Sequence, residues 1–480
     1  MKMTNNFFRY VAFVIGVSLL TFTQSCSQEL DINNDPNKPT NVPINTILTA
    51  AEVHLGYTVG GEVTRMPASI VQYYSGHRGQ PLDYGRYNIT SSSTDGLWEN
   101  MYDILMDLRE IQNKGNESGD KMYVGISQIL QAYTFSITTD IFGDVPFSEA
   151  LKGLANITPA YDKQEMIYPA LVKMIEDGIT NINTKEGMKP GTDDIIYSGN
   201  TDNWIKFGNS LKLRLLNHLS KKNPNGATAF LETNPSLIEV FGTNAKVKFG
   251  SSASNANPIY QFDVLSGRKD NAIASTIVDK LKSLNDPRID VYFKKVMNNG
   301  SGFQGQYRGN IPGGDTDDSG ENLFSRVGSA YASTDSPVVL MSAAEVNFIK
   351  SEIYFRSGNM SQAKSAYGAA ITQDFLSLGL DAKLSTYLAG ANVAYNNSLE
   401  RIMEQKWITM FQGAYESWTD WRRTGFPVLV APSFNRTSGV IPRRLSYPQI
   451  EVNVNGTSLA NGPGIPVPFE SLKVKVWWDQ

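Results

Sequence analysis

Apolar residues recur at helical spacing through much of the chain. Between Trp204 and Leu219 they fall at Trp204, Phe207, Leu211, Leu215 and Leu219, one face at a period of about 3.6, which predicts an amphipathic helix. Leu399, Ile402, Met403, Trp407, Met410 and Phe411 trace the same stripe in a second helix. Trp407, Trp418 and Trp421 at helical spacing are expected in the core, with Trp477 and Trp478 pinning the C-terminus. Ser342 with Glu345 fits a capping box, hydroxyl and carboxylate each reaching an orphan backbone N–H.

Tyr354, Ala363, Tyr367 and Ala370 stand in the spacing of a tetratricopeptide repeat, with Gly358 in the turn between two helices. Small alanines let paired helices approach, and the tyrosines fill the space against the next pair. Asn347 and Ser351 depart from the repeat pattern, so the unit is degenerate. The fold class read here is mainly α, a helix-hairpin scaffold with divergent units. Two loop-rich segments interrupt it, Tyr73 to Thr90 and Gly250 to Pro337. Within the second, Val291 to Gly309 reads as a short β-hairpin turning at Asn298-Asn299-Gly300. Long irregular segments on a rigid frame are where binding usually resides.

The N-terminus reads as an address. Lys2 and Arg9 precede an apolar run from Tyr10 to Phe22, followed by Thr23-Gln24-Ser25-Cys26. This is the layout of a secretory signal peptide over residues 1–25, too short and one-sided for a spanning helix. Cys26 is the chain's single cysteine and cannot form an internal disulfide. At the cleavage point it resembles the acylated cysteine of bacterial lipoproteins, although Thr23 stands where leucine is usual. Residues 26–43 then read as a lipidated cysteine and an extended tether, carrying Asp35-Pro-Asn-Lys-Pro39. Residues 44–480 read as one domain with its loop-rich insertion at about 250–337. No later stretch approaches the roughly 18 apolar residues of a membrane-spanning helix.

The chain has 480 residues and a formal charge of −4, which argues against a nucleic-acid footprint and its strongly basic face. Enzyme chemistry finds no foothold. His54, His77 and His218 form no HExxH pair, and no GxSxG or Walker A motif is present. Gly300-Ser-Gly302-Phe-Gln-Gly305 matches a dinucleotide fingerprint literally, but no helix-forming run follows it. Asp140, Asp144 and Glu149 are close enough to suggest a carboxylate pair, yet their segment ends a helix, where Asp and Gly serve turns. Asp315 and Asp317, with Ser319 and Gly320, imitate the start of a calcium loop, but Arg326 stands where the bidentate Glu belongs. No cofactor is expected.

The loop aromatics carry a better lead. A pyranose presents C–H faces that stack on rings, while its hydroxyls need Asn, Asp, Arg or Gln in the plane. Tyr73, Tyr74, His77, Arg78, Asp83, Tyr84 and Tyr87 mix both kinds, and Tyr260, Phe303, Tyr307, Arg308, Phe324 and Tyr331 repeat the mixture. The alternative for each ring is a loop anchor buried on the scaffold.

Several segments together resemble the SusD/RagB family of Bacteroidetes outer-membrane lipoproteins, in its SusD-like subgroup. They are Leu30 to Thr40, Thr139 to Ala150, Trp204 to Arg214, Asp286-Pro-Arg288, Glu400 to Trp407, Trp421-Arg-Arg-Thr-Gly425 and Val476-Trp-Trp-Asp479. The resemblance implies an α/α superhelix of about four tetratricopeptide-like helix pairs decorated by variable loops. It also implies a role without catalysis. Such a protein, anchored by lipid and exposed on the outer membrane, captures a nutrient, usually an oligosaccharide, and passes it to a SusC-type TonB-dependent transporter. A peptide ligand, or a structural lid without its own ligand site, are the alternatives. Binding residues do not carry over by motif, because ligand-facing loops differ between members.

Overall fold

The apolar stripes become helices packed side by side. The computed structural model describes residues 42–480 except Asn298, Asn299 and Ser319. The expected signal peptide, Cys26 and the tether up to residue 41 lie outside the described residues. The principal helices are α1 (Ile44–Gly60), α2 (Glu62–Ile70), α3 (Gly79–Gly85), α4 (Asp95–Ser118), α5 (Lys121–Phe142), α6 (Gln164–Thr184) and α7 (Thr201–His218). They continue with α8 (Ala343–Arg356), α9 (Met360–Ser377), α10 (Leu399–Thr409) and α11 (Ala414–Thr424). Ile44–Gln480 forms one unit. Among the described residues no helix is long and apolar enough to cross a membrane.

α4 buries Leu97, Trp98, Met101, Ile104, Leu105, Leu108 and Ile111 at three- and four-residue steps. It ends at Gly119, whose φ of 83° closes the turn into α5. α5 is buried almost all round from Met122 to Phe142 and is the central helix. α4 and α6 pack on it, α1 covers α4, and α7 packs on α6. The α5–α6 crossing is close because glycine stands on both sides. A Cβ on Gly125 would come within 2.5 Å of the Gly178 carbonyl oxygen.

The degenerate repeat is a helical hairpin, α8 and α9 turning at Gly358 with φ of 80°. Ala363, Tyr367 and Ala370 are buried with Phe348, Ile371, Phe375, Ile402 and Met403, so α10 completes this layer. Each fully buried large apolar side chain contributes about 1.5–3 kcal/mol. α11 packs against α2, bringing the C-terminal helices back onto the start of the unit.

The strands are short antiparallel pairs. β1 (Val145–Pro146) pairs with β2 (Tyr161–Asp162), β3 (Ala245–Val247) with β6 (Val338–Met341), and β4 (Phe293–Lys294) with β5 (Arg326–Val327). The hairpin expected over Val291 to Gly309 is therefore only partial. Val296 exchanges backbone hydrogen bonds with Gly305 and Gln306, but the strand at Phe293 takes its partner from beyond the turn.

Where α5, α7, α8, α10 and α11 meet, the interior is ionic. Arg214 donates to Glu345 through Nε at 2.6 Å and Nη2 at 2.8 Å, and its Nε lies 3.7 Å from Glu416. Lys406 reaches Asp420 at 2.6 Å, and Arg423 holds both Asp420 and Glu352. His218 lies between Asp140 (3.3 Å) and Glu416 (3.0 Å). Burial alone would lower the His218 pKa, but the two carboxylates outweigh it and raise it to about 9. Burial likewise favours a protonated Glu352, yet Arg423 and Arg356 bring it down to about 2. An uncompensated buried charge costs several kcal/mol, so these signs must match across helices far apart in sequence.

Three expectations are revised here, the first of them by that network. The capping box at Ser342 forms by half: Ser342 Oγ accepts from the Glu345 N–H at 3.1 Å, while the Glu345 carboxylate turns inward to Arg214. A guanidinium fork outcompetes a single backbone N–H. α10 stops at Thr409, so Met410 and Phe411 are buried in the turn after it rather than on the helix. Trp421 is half-buried beneath the Arg443 guanidinium rather than in the core. Trp407, Trp418 and Trp478 are buried, Trp478 donating to Asp140 Oδ1 at 2.8 Å.

The Asp286-Pro-Arg288 motif is a second ionic clamp. Arg288, fully buried, donates to Asp286, Asp374, Tyr387 and Gln405, fastening this segment to α9 and α10.

Candidate functional site

The two loop-rich segments are sewn together by backbone hydrogen bonds. Ser75 N–H donates to the Ala272 carbonyl at 2.8 Å and His77 N–H to Asp270 at 3.1 Å. Ala274 N–H donates to the Tyr73 carbonyl at 2.9 Å. Within the second segment, Ser275 N–H reaches Asn310 at 2.7 Å, Ile273 N–H reaches Ser325 at 3.1 Å, and Ser325 N–H reaches Arg308 at 2.7 Å. His77 is a stitch in this seam. Its Nδ1 accepts from the Asp318 N–H at 3.2 Å, which leaves Nε2–H to donate to the Lys269 carbonyl at 2.8 Å. Burial holds its pKa below the ordinary value, consistent with a neutral ring.

The rings of the first segment face inward. Tyr73, Tyr74, Tyr84 and Tyr87 are buried, and Phe324 of the second segment is buried too. Tyr73 donates to the Trp407 carbonyl, lies 2.6 Å from Ser417 Oγ, and packs on Trp407 and Phe411. Displayed tyrosines in this segment are thus corrected to loop anchors. A tyrosine ring hides 150–250 Å², roughly, and gains more inside than a weak ligand contact offers outside. Arg78 and Asp83 remain at the surface. Phe303, Tyr307, Arg308 and Tyr331 are half-buried. Arg308 stacks on Phe303 at 3.8 Å, Tyr307 donates to Asp290 at 2.6 Å, and Tyr331 packs on Phe411.

What the surface does present is a row of paired charged groups that runs from the exposed Phe434 ring to the half-buried Phe262 ring. Phe434, 60% exposed, lies 4.7 Å beneath the Arg86 guanidinium, and Arg86 pairs with Asp315 at 2.9 Å. Asp317 stands 4.0 Å from Arg78. Arg78 and Arg268 share the two oxygens of Asp270, at 2.8 and 2.9 Å. Arg268 reaches the Phe262 ring at 6.0 Å, and Arg65 covers that ring at 3.4 Å. Guanidiniums and carboxylates held by each other offer planar donors and acceptors without a large net field, the chemistry a hydroxyl-rich uncharged ligand needs.

Phe434, Arg86, Arg65, Phe262, Arg268 and Asp270 are not found by sequence reasoning. Phe434 lies in the run after α11, Phe426 to Arg436, where prolines and valines gave no sign of a site. The available signal was an aromatic flanked by Pro432, Ser433, Asn435 and Arg436 in a segment of no helical period.

The chemistry doubted from sequence is spoken for structurally. Asp315 pairs with Arg86, which lowers its pKa, and no group of acidic, His or Cys side chains suited to a metal exists among the described residues. Asp318 instead organises this loop, accepting from the N–H groups of Asn322, Leu323 and Phe324 at 2.6 to 2.8 Å and from Arg326. Asp140 is buried against Tyr168 and Trp478, and Asp144 accepts from the Gln164 N–H that opens α6. Glu149 accepts from the Ala160 N–H.

A family model described as starch-binding and associating with the outer membrane matches residues 36–448. The chain belongs to the SusD-like family. Its fold matches a chitin-binding SusD homolog from Flavobacterium johnsoniae at a TM-score of 0.78 and 23% identity, over 91% of this chain and 98% of that one. A SusD homolog from Bacteroides uniformis matches at 0.75 and 25% identity, over 90% and 99%. A SusD/RagB protein from Bacteroides thetaiotaomicron matches at 0.77 and 20% identity, over 92% and 99%. No curated protein matches. The helical scaffold and its loop decoration are those of a SusD-like nutrient-binding protein associated with the outer membrane.

Proposed function

We propose that this protein is a lipid-anchored, surface-exposed member of its family that binds an uncharged oligosaccharide along the Phe434–Phe262 row and delivers it to a SusC-like TonB-dependent transporter. The observation that carries the reading is the row itself, two rings separated by paired guanidiniums and carboxylates. An oligosaccharide laid along it stacks on the exposed Phe434 ring and places hydroxyls against Arg86, Asp315, Arg78 and Asp270. Anchoring through acylated Cys26 belongs to the same reading, as does binding without catalysis. The chitin-binding neighbour and the starch-binding family description support a glycan over a peptide.

Calorimetry with a panel of neutral oligosaccharides tests it, repeated with Phe434→Ala and Arg78→Ala. Loss of affinity in both is expected. Unchanged affinity in both overturns the row, and binding of peptides in place of sugars overturns the ligand class.

A further inference from the structure

A cleft of about 370 Å³ opens between the β3–β6 pair, the first turn of α8 and the last turns of α9. It shares no residue with the row. Its apolar wall is open surface: Phe241 is 44% exposed, and Val291, Tyr331, Val339 and Leu378 are half-buried. Lys246 and Val339 are paired across β3 and β6, and directly opposed residues project to the same side of a sheet. The next pair, Val247 and Val338, is buried on the other side. Lys246 therefore stands beside Val339 on the wall of the cleft. Its ammonium makes no hydrogen bond or ion pair among the described residues.

Two carboxamides in the lining are oriented by the backbone. Asn244 Oδ1 accepts from the Ala343 N–H at 2.8 Å, and Gln373 Oε1 accepts from the Phe241 N–H at 2.9 Å. A backbone N–H only donates, so each amide oxygen is committed and each NH₂ group is left over as a donor. Neither nitrogen has a partner among the described residues, and neither is sealed from solvent. The carboxylates in the lining are already matched, Glu345 by Arg214 and Asp374 by Arg288. One cation and two amide donors thus remain without counterparts beside an apolar wall.

The complement of that set is negative, accepts hydrogen bonds and carries an apolar body. A cation is repelled by Lys246, and a neutral hydroxyl leaves the ammonium without a counter-ion. We infer that this cleft binds a small organic carboxylate. Its oxygens pair with Lys246 and accept from Asn244 and Gln373, while its apolar part lies against Phe241, Tyr331 and Leu378.

The test is calorimetry on the full chain with phenylacetate and with phenylacetamide, which has the same ring and no charge. The carboxylate is expected to bind roughly tenfold tighter, the scale of one hydrogen bond to a charged group. This comparison on the wild type needs no variant to fold. Lys246→Gln is expected to bring the two affinities to within about twofold of each other, and Lys246→Arg to keep the preference. Gln373→Glu keeps an oxygen for the Phe241 N–H but replaces the donor with a negative charge. It is expected to weaken phenylacetate by roughly tenfold and to leave phenylacetamide nearly unchanged. Equal affinities for the two probes, no measurable binding of either, or a preference that survives Lys246→Gln overturns the inference. A neutral oligosaccharide that loses affinity in Lys246→Gln while phenylacetate keeps its own assigns the cleft to sugar and overturns it as well.

Discussion

Glu345 Oε2 lies 2.8 Å from Arg214 Nη2, and both side chains are buried. The carboxylate begins α8 and the guanidinium stands near the end of α7, so one ion pair fixes how two hairpins meet. Removing one partner strands the other in low dielectric. Glu345→Leu or Arg214→Met alone is expected to destabilise the fold by about 3–5 kcal/mol. The double variant Arg214→Met/Glu345→Leu is expected to cost less than the sum of the single changes. Denaturant unfolding of the four proteins of this cycle measures the coupling, and strict additivity would refute it.

The His218 site makes stability depend on alkaline pH. Its folded pKa of about 9 exceeds the usual 6.5, so the folded state holds a proton that the unfolded state gives up between those values. The contribution is therefore complete below pH 6.5 and lost as pH rises through 9. It amounts to roughly 3 kcal/mol. Melting temperatures taken from pH 6 to 10 are expected to fall across this window, and His218→Gln is expected to flatten the fall. Glu352 sets the opposite edge. With its pKa brought from 4.5 to about 2, it contributes above pH 4.5 and the contribution is lost as pH falls toward 2.

Gly125 and Gly178 set the α5–α6 distance. A methyl group at residue 125 has no room against the Gly178 carbonyl, 2.5 Å from where a Cβ would stand. Gly125→Val is expected to cost about 1–3 kcal/mol through a forced helix shift. Gly368, with nothing within 4 Å of a built Cβ, is the control, and Gly368→Ala is expected to be neutral or slightly stabilising. Thermal unfolding of both variants checks the pair.

For ligand binding, Phe434→Ala is expected to weaken an oligosaccharide by about tenfold, the scale of a lost ring face. Raising salt is expected to change that affinity little, because Arg86, Arg78 and Arg268 are each already paired. A steep salt dependence in calorimetry would point to a charged ligand instead.

The framework was legible because helical periodicity is a local signal. Trp204, Phe207, Leu211 and Leu215 share a buried face, and the Ala363–Tyr367–Ala370 spacing marks the buried side of a hairpin. What was not legible is which neighbour wins a side chain. Local spacing places Glu345 at its own helix end, because Arg214 is remote in sequence and becomes its partner only when α7 and α8 meet. Tyr73 and Tyr87 sit among glycines and polar residues, a loop composition that does not say which way a ring points. Tertiary contact with Trp407 and Phe411 decides it for Tyr73. The surface row is assembled from residues 65 to 434, and no window along the chain contains it.

The mutual pairing of Arg86 with Asp315 and of Arg78 and Arg268 with Asp270 bears on turnover. Each hydroxyl that docks there displaces or shares a bond that reforms the moment it departs. On the proposed reading, a surface so constructed would hold cargo in shallow, quickly reversible contact, with the residence time of a bound chain set by how much ring surface it covers at once.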